Sequence, residues 1–157
     1  YGSTEIIEHV ALNQVYLNKE LLVTLNLNAS EVEKLIQEYI LLQPQIQTAV
    51  TRTQLLNHEF TDGLELLIQN GFHTDRSGDI AYLLEPSVVV YSETGSDHGS
   101  GYEHDTHVPL LFYGLGIKPG RTHRLTSSAD IVSTIAALLA IEPPKTASGH
   151  VIGEMIE

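Results

Sequence analysis

Residues 95–114, GSDHGSGYEHDTHVPLLFYG, constrain this chain more than any other stretch. They open as a Gly/Ser turn carrying Asp97 and His98, continue through Tyr102, Glu103, His104, Asp105 and His107, and end in the apolar run 108–113. A flexible turn, then ligand-type side chains, then a strand is the order that suits a metal site at the end of a buried strand. Three of the eight His residues fall within ten positions here, alongside three carboxylates. Imidazole and carboxylate together suit zinc and its neighbours, and a chain without cysteine has no thiolate site. His98 is the first candidate ligand, because flanking glycines let the backbone turn sharply and bring the imidazole to a metal. His104 and His107 stay open as alternatives. Asp105 reads as a turn former that bonds the amide two positions on, or as the oxygen that orients a metal-bound His98 imidazole through its second N–H.

HGSGYEHDTHVPLLFYGLGIKPG resembles the C-terminal signature of the alkaline phosphatase superfamily, in particular its bacterial zinc phosphatases and phosphodiesterase relatives. SSADIVSTIAALLAIEPPKTASGHVIGEMI resembles that family's closing helix, Pro break and final segment, and VYLNKELL and IQNGFHTDRSGDI resemble stretches that precede the signature. The resemblance implies that His98 is the last ligand of a two-zinc site. Asp97-His98-Gly99 also mimics the Asp-His-Gly that supplies two ligands of the second zinc. The last-ligand reading is preferred because Tyr102 and the segment 105–109 follow directly, which leaves Asp97 as an alternative ligand. In that family the Ser or Thr nucleophile and most metal ligands lie upstream of anything matching Tyr1. No catalytic residue is therefore assigned within the chain, and the zinc site expected in it is incomplete.

At 157 residues the chain is long enough to bury a core, and its 42% hydrophobic content is that of an ordinary globular protein. A net charge of −12 opposes binding to nucleic-acid backbones or anionic lipid. No apolar run approaches the roughly 20 residues of a membrane span. Opening on Tyr1 rather than Met, the chain reads as a processed product or a piece of something longer.

In chain order, residues 9–17 read as a strand and 20–25 as either a strand or a short helix. Ser30 and Glu33 form a capping box for a helix over 31–42, with Val32, Leu35, Ile36 and Tyr39 at helical spacing. Residues 46–53 read as a strand. Thr61 starts a helix with Leu64, Leu67 and Ile68 inward, and Gly71 gives it a left-handed stop. Residues 79–84 read as a strand, and 88–91 as a short β continuation. Beyond the motif strand 108–113, Ser128 caps a helix with Ile131, Ile135, Leu138 and Leu139 inward, and Pro143-Pro144 stops it.

The expected fold is α/β: a β-α-β-α-β subdomain over 1–91, both helices on one face of its sheet, followed over 92–157 by the closing strand and helix of an alkaline-phosphatase-like core. The expected function is that of a C-terminal fragment of a zinc-dependent hydrolase of phosphate esters, periplasmic or exported, which contributes His98 as a ligand and is inactive alone. The alternative from another class is a catalytically silent interaction module of the same fold.

Overall fold

The structure, a computed structural model, describes residues 5–89 and 100–156. Its contacts divide the chain into two compact units, Tyr1–Val108 and Pro109–Glu157. The first is a mixed α/β unit built on four strands, β1 (Ile7–Ala11), β2 (Gln14–Leu17), β3 (Ile46–Thr51) and β4 (Ile80–Leu84). They form one sheet in the order β1-β2-β4-β3, every neighbouring pair antiparallel. The segment 9–17 is thus a hairpin and not a single strand. Leu12 and Asn13 take φ of 50° and 59°, the paired left-handed geometry of a tight two-residue turn. Leu-Asn lacks the Asn-Gly or Asp-Gly signature that announces such a turn, so alternation alone ran the two strands together.

Helix α1 (Lys19–Thr24) settles the ambiguity at 20–25: the Asn18 side chain accepts from the Leu21 amide and starts a helix. In α2 (Ala29–Leu41) the cap is Asn28, whose side chain accepts from the Ser30 amide, so the Ser30–Glu33 capping box does not form. Glu33 is instead buried and its carboxylate accepts from the Thr53 amide at 2.9 Å. That amide belongs to the first turn of α3 (Arg52–Asn57), a helix not foreseen, whose first two residues the expected strand 46–53 had included. Thr51 starts it with a true capping box to Gln54, which ends β3 two residues short of Thr53. Helix α4 (Gly63–Gly71) follows Asp62 without a side-chain cap, and Gly71 lies within it rather than forming a left-handed stop.

The helices sit on opposite faces of the sheet, not on one. Ala49 lies in the core with Ile6, Val15, Leu17, Leu22, Val32 and Ile80, and Ile36 and Ile40 of α2 pack against that cluster. The neighbouring residue Thr48, pointing the other way by strand alternation, hydrogen-bonds Glu65 of α4 at 2.7 Å. The turn through α3 carries the chain around the end of β3 and delivers α4 to the second face. Buried Asp79 locks β2 to the start of β4: its carboxylate accepts from the Leu17 amide at 2.9 Å and lies 3.4 Å from the Lys19 ammonium. Past β4, Ser87 at φ 67° turns the chain, and Val88 and Val89 form no strand. The rest of the expected 88–91 continuation lies outside the described residues. One-turn helix α5 (Glu103–Thr106) completes the described part of this unit.

The second unit contains α6 (Asp130–Leu138), a 3₁₀ turn at Gly153–Met155 and an antiparallel bridge between Ile117 and Ile156. Ser128 does not cap α6; the Asp130 carboxylate accepts from the amides of Ser127 and His150, at 3.0 and 2.8 Å. These two amides, in that order, hold the Asp130 carboxyl below its ordinary pKa. The helix closes with paired bonds, Ala140 N–H to Ala137 O and Ile141 N–H to Ala136 O, with Ala140 at φ 52°, so it ends before Pro143 is reached. Its buried residues are Asp130, Ser133, Thr134 and Ala136, whereas Val132, Ile135 and Leu139 are exposed. The expected inward stripe is therefore corrected, because the segment 149–152 docks through polar groups. Ser133 Oγ donates to Gly149 O at 2.7 Å, and the Ile152 N–H donates to Thr134 Oγ1 at 3.0 Å. Residues 108–113 are not a strand either: no described strand lies beside them, and Leu111 is 88% exposed.

Candidate functional site

The sequence motif enters the described structure at Ser100. Helix α5 begins at once, with Tyr102 O accepting from the amides of Asp105 and Thr106 at 3.0 Å each. Asp105, in the third position of this turn, reaches back along the chain. Its Oδ2 accepts from Ser100 N–H at 3.0 Å and from Ser100 Oγ at 2.5 Å. This is not a capping box, since the acid takes the amide two residues before the N-cap Tyr102; it closes a short loop on Ser100 ahead of the helix. The expected bond from Asp105 to the amide two positions on is not the one observed: the His107 amide goes to Glu103 O, and Asp105 closes the segment upstream instead.

Tyr102 anchors the segment to the sheet. Its hydroxyl donates to Leu84 O, the last residue of β4, at 2.8 Å. Burial first, and the Glu85 carboxylate second, push the phenol pKa up, so it remains a protonated donor. The His104 ring stacks on Tyr102 at 5.7 Å between centroids. Gly101 lets the backbone pass close to α4: a Cβ there would stand 2.7 Å from Leu67 Cδ1 and 2.9 Å from Leu64 Cδ2. Between the end of β4 and α5 lies a cleft of about 70 Å³, with Asn13, Glu85, Tyr102, His104 and Asp105 in its wall.

The candidate residues separate as follows. His98 and Asp97 lie outside the described residues. Asp105 faces the cleft and holds Ser100. His107 is exposed, its Nδ1 3.9 Å from the carboxylate of Glu103, itself an exposed residue. His104 Nε2 lies 4.0 Å from Asp105 Oδ1. Among the described residues, no three His, Asp or Glu side chains converge on a point where an ion would sit. On their own, then, they do not make a zinc centre; what they fit is the support of a turn. The sequence reading missed Ser100 and Tyr102 as parts of the site. Ser100 five positions before an acid at a helix start was the available signal, but the partner of Tyr102 is remote in sequence and left none.

No family model matches the chain. Alkaline phosphatase PafA of Elizabethkingia meningoseptica is 28% identical over 157 residues, a match covering 99% of this chain and 29% of PafA. A protein of Myroides odoratus described as a calcium-transporting ATPase is 33% identical, over 100% of this chain and 29% of its own length. Alkaline phosphatase PhoV of Synechococcus elongatus is 27% identical over 92% of this chain and 26% of its own. The crystal structure of wild-type PafA superposes with a TM-score of 0.89 at 28% identity, over 100% of this chain and 30% of PafA. The chain belongs to the alkaline phosphatase superfamily. It spans less than a third of the length of these relatives. Among the described residues no helix is long and apolar enough to cross a membrane.

Proposed function

We propose that this chain is the C-terminal part of a zinc-dependent hydrolase of phosphate esters, to which it contributes His98 as one ligand of a two-zinc site. The observation that carries the reading is the agreement of the whole chain, in sequence and backbone, with an alkaline phosphatase more than three times its length. The motif His98-Gly99-Ser100-Gly101-Tyr102, followed by Asp105-Thr106-His107-Val108-Pro109, supports the assignment to His98. When bound, zinc would supply Lewis-acid stabilisation of a transferring phosphoryl group. The role of the chain's own residues is to bring one imidazole to that place and hold it. Asp105, His107 and Asp97 remain alternative or supporting oxygen and nitrogen donors. Family likeness supports a periplasmic or exported home; the division near residue 92 is proposed on the composition shift there, and differs from the boundary between the compact units, Val108 and Pro109.

The exposed apolar groups fit this partial role. Leu111, Leu115 and Leu125, with Val132, Ile135 and Leu139 on α6, are exposed among the described residues. Further polypeptide of the kind the relatives possess would cover them. The chain alone is therefore proposed to be inactive, since a catalytic zinc takes about three protein ligands.

The test compares the purified chain with the full-length gene product on an aryl phosphate with added zinc, each beside its His98→Ala version. Turnover is expected from the full-length product only, with loss on His98→Ala. Turnover by the chain itself that disappears with His98→Ala would show it to be complete, and full activity of the substituted full-length product would remove His98 from the site.

A further inference from the structure

We propose that the free edge of β1 receives a further strand, supplied by the part of the longer protein that lies outside this chain. β1 is the end strand of the sheet, and all five of its residues are exposed. Its apolar side chains nevertheless point to the side of the core. Ile7 stands opposite Leu17 and Val10 opposite Val15, and both partners belong to the core cluster at 3% exposure. Residues three apart in a regular strand face opposite ways. The bulge between Ile7 and His9 inserts the extra residue that puts Ile7 and Val10 on one face. There they remain 40% and 56% exposed, so the core face of the sheet runs on past its cover.

The backbone at this edge is open to pairing. Val15 O accepts from the Asp79 amide at 2.8 Å, on the β4 side, so Val10 and Val15 are a pair of the kind that exchanges no hydrogen bonds. The N–H and C=O of Val10 therefore point away from β2, toward the free edge. Pro and Lys, which natural proteins use to close such edges, are absent from 7–11. The occupant that fits is an extended segment with apolar side chains on the side of Ile7 and Val10, and polar ones on the side of the His9–Tyr16 stack. The longer polypeptide is the nearest source, since PafA matches this chain from end to end and yet only 30% of PafA is covered. A tethered segment also acts at an effective concentration that a separate molecule rarely reaches. None of this depends on the zinc assignment of His98.

The experiment follows amide hydrogen exchange over 7–11 by mass spectrometry, resolved at Val10, in the 157-residue chain and in the full-length gene product, neither with added metal. The Val10 amide is expected to exchange about 100-fold or more slowly in the full-length protein, where the added strand accepts from it. This comparison uses the wild-type sequence, so it needs no variant to fold. Val10→Pro then removes the outward N–H at a position that an edge strand tolerates. In the full-length protein it is expected to speed exchange about 10-fold in one segment outside the chain, which identifies the strand. Equal exchange at Val10 in the two proteins overturns the proposal. So does slowing in the 157-residue chain that grows with its concentration, which would make a second copy the occupant. A full-length Val10→Pro protein in which no outside segment exchanges faster overturns it as well.

Discussion

Gly149→Ala tests the least expected contact in the second unit, the docking of segment 149–152 on the polar side of α6. A Cβ at 149 would stand 2.1 Å from Ala129 O, 2.2 Å from Ala129 C and 2.5 Å from Asp130 N. Ordinary contact begins near 3.4 Å, so the segment or the helix start must move by about 1.3 Å (3.4 − 2.1). All three obstacles are main chain, and no rotamer change relieves them. Movement on that scale breaks the Ser133–Gly149 and Ile152–Thr134 hydrogen bonds, at 2.7 and 3.0 Å. Each is worth about 1 kcal/mol net, for a loss of about 2 kcal/mol. Overpacking strain adds roughly 1–3 kcal/mol.

The total, about 3–5 kcal/mol, corresponds to a fall in Tm of roughly 10 °C for a chain of this size. Thermal melting by circular dichroism reads it. Gly153→Ala is the control: a Cβ there meets nothing within 4 Å, and the change should stay within about 0.5 kcal/mol. If Gly149→Ala melts within 2 °C or so of the parent on the same scale, the close approach of 149 to the start of α6 is wrong.

Ala140→Gly should stabilise by about 1 kcal/mol, because Ala140 holds the left-handed position after α6 that glycine adopts at no steric cost; a denaturant midpoint that falls would contradict the cap geometry. Ile80→Ala, at a fully buried site of the central β4, should cost about 2–5 kcal/mol, read from the same urea titration, and a loss under 1 kcal/mol would displace Ile80 from the core. Asp130 is held below its ordinary pKa in the folded chain, so its contribution is complete above about pH 3.9 and disappears as pH falls through the depressed folded value. Asp130→Asn should therefore flatten the stability-against-pH curve at its acid end, and an unchanged acid limb would refute the role of the Ser127 and His150 amides.

Signals in the sequence differed in how far they reached. Local ones reached only part of the way. The helix at α2 and the chain turn after β4 read correctly. Of the expected inward stripe, however, Val32 is buried and Leu35 and Tyr39 are exposed, while Glu33 is buried, and the short helix α5 was not foreseen. Cap identity was misplaced by two residues at α2, because Asn28 and Ser30 are both good caps and the choice rests on Glu33 being needed elsewhere, at the Thr53 amide. The hairpin at Leu12-Asn13 was hidden because its residues are poor at the conformation they adopt. The motif singled out Asp105 by type and spacing, but the tie between Tyr102 and Leu84 joins residues 18 apart and is set by tertiary packing alone.

Helix α6 shows why apolar periodicity misled on direction. Ile131, Ile135, Leu138 and Leu139 recur as an inward stripe should, yet the described unit buries Asp130, Ser133 and Thr134 instead. Both faces have a use: the polar one satisfies amides of 149–152, and the apolar one is only partly covered by the described residues, with Ile131 and Leu138 half-buried and Ile135 and Leu139 exposed. A hydrophobic stripe reports that some partner covers it, not that the partner lies in the same stretch of chain. The run 108–113 is the same case for a strand, with β-type residues and no described neighbour to pair with. If further polypeptide of the longer protein covers α6, Ile135→Asp should cost little in the 157-residue chain, where Ile135 is 43% exposed. In the full-length gene product the same change should cost about 2 kcal/mol or more, since it would place an unpaired charge in a buried contact. Equal losses in the two proteins, measured by urea midpoint, would mean that the apolar face of α6 faces water in both.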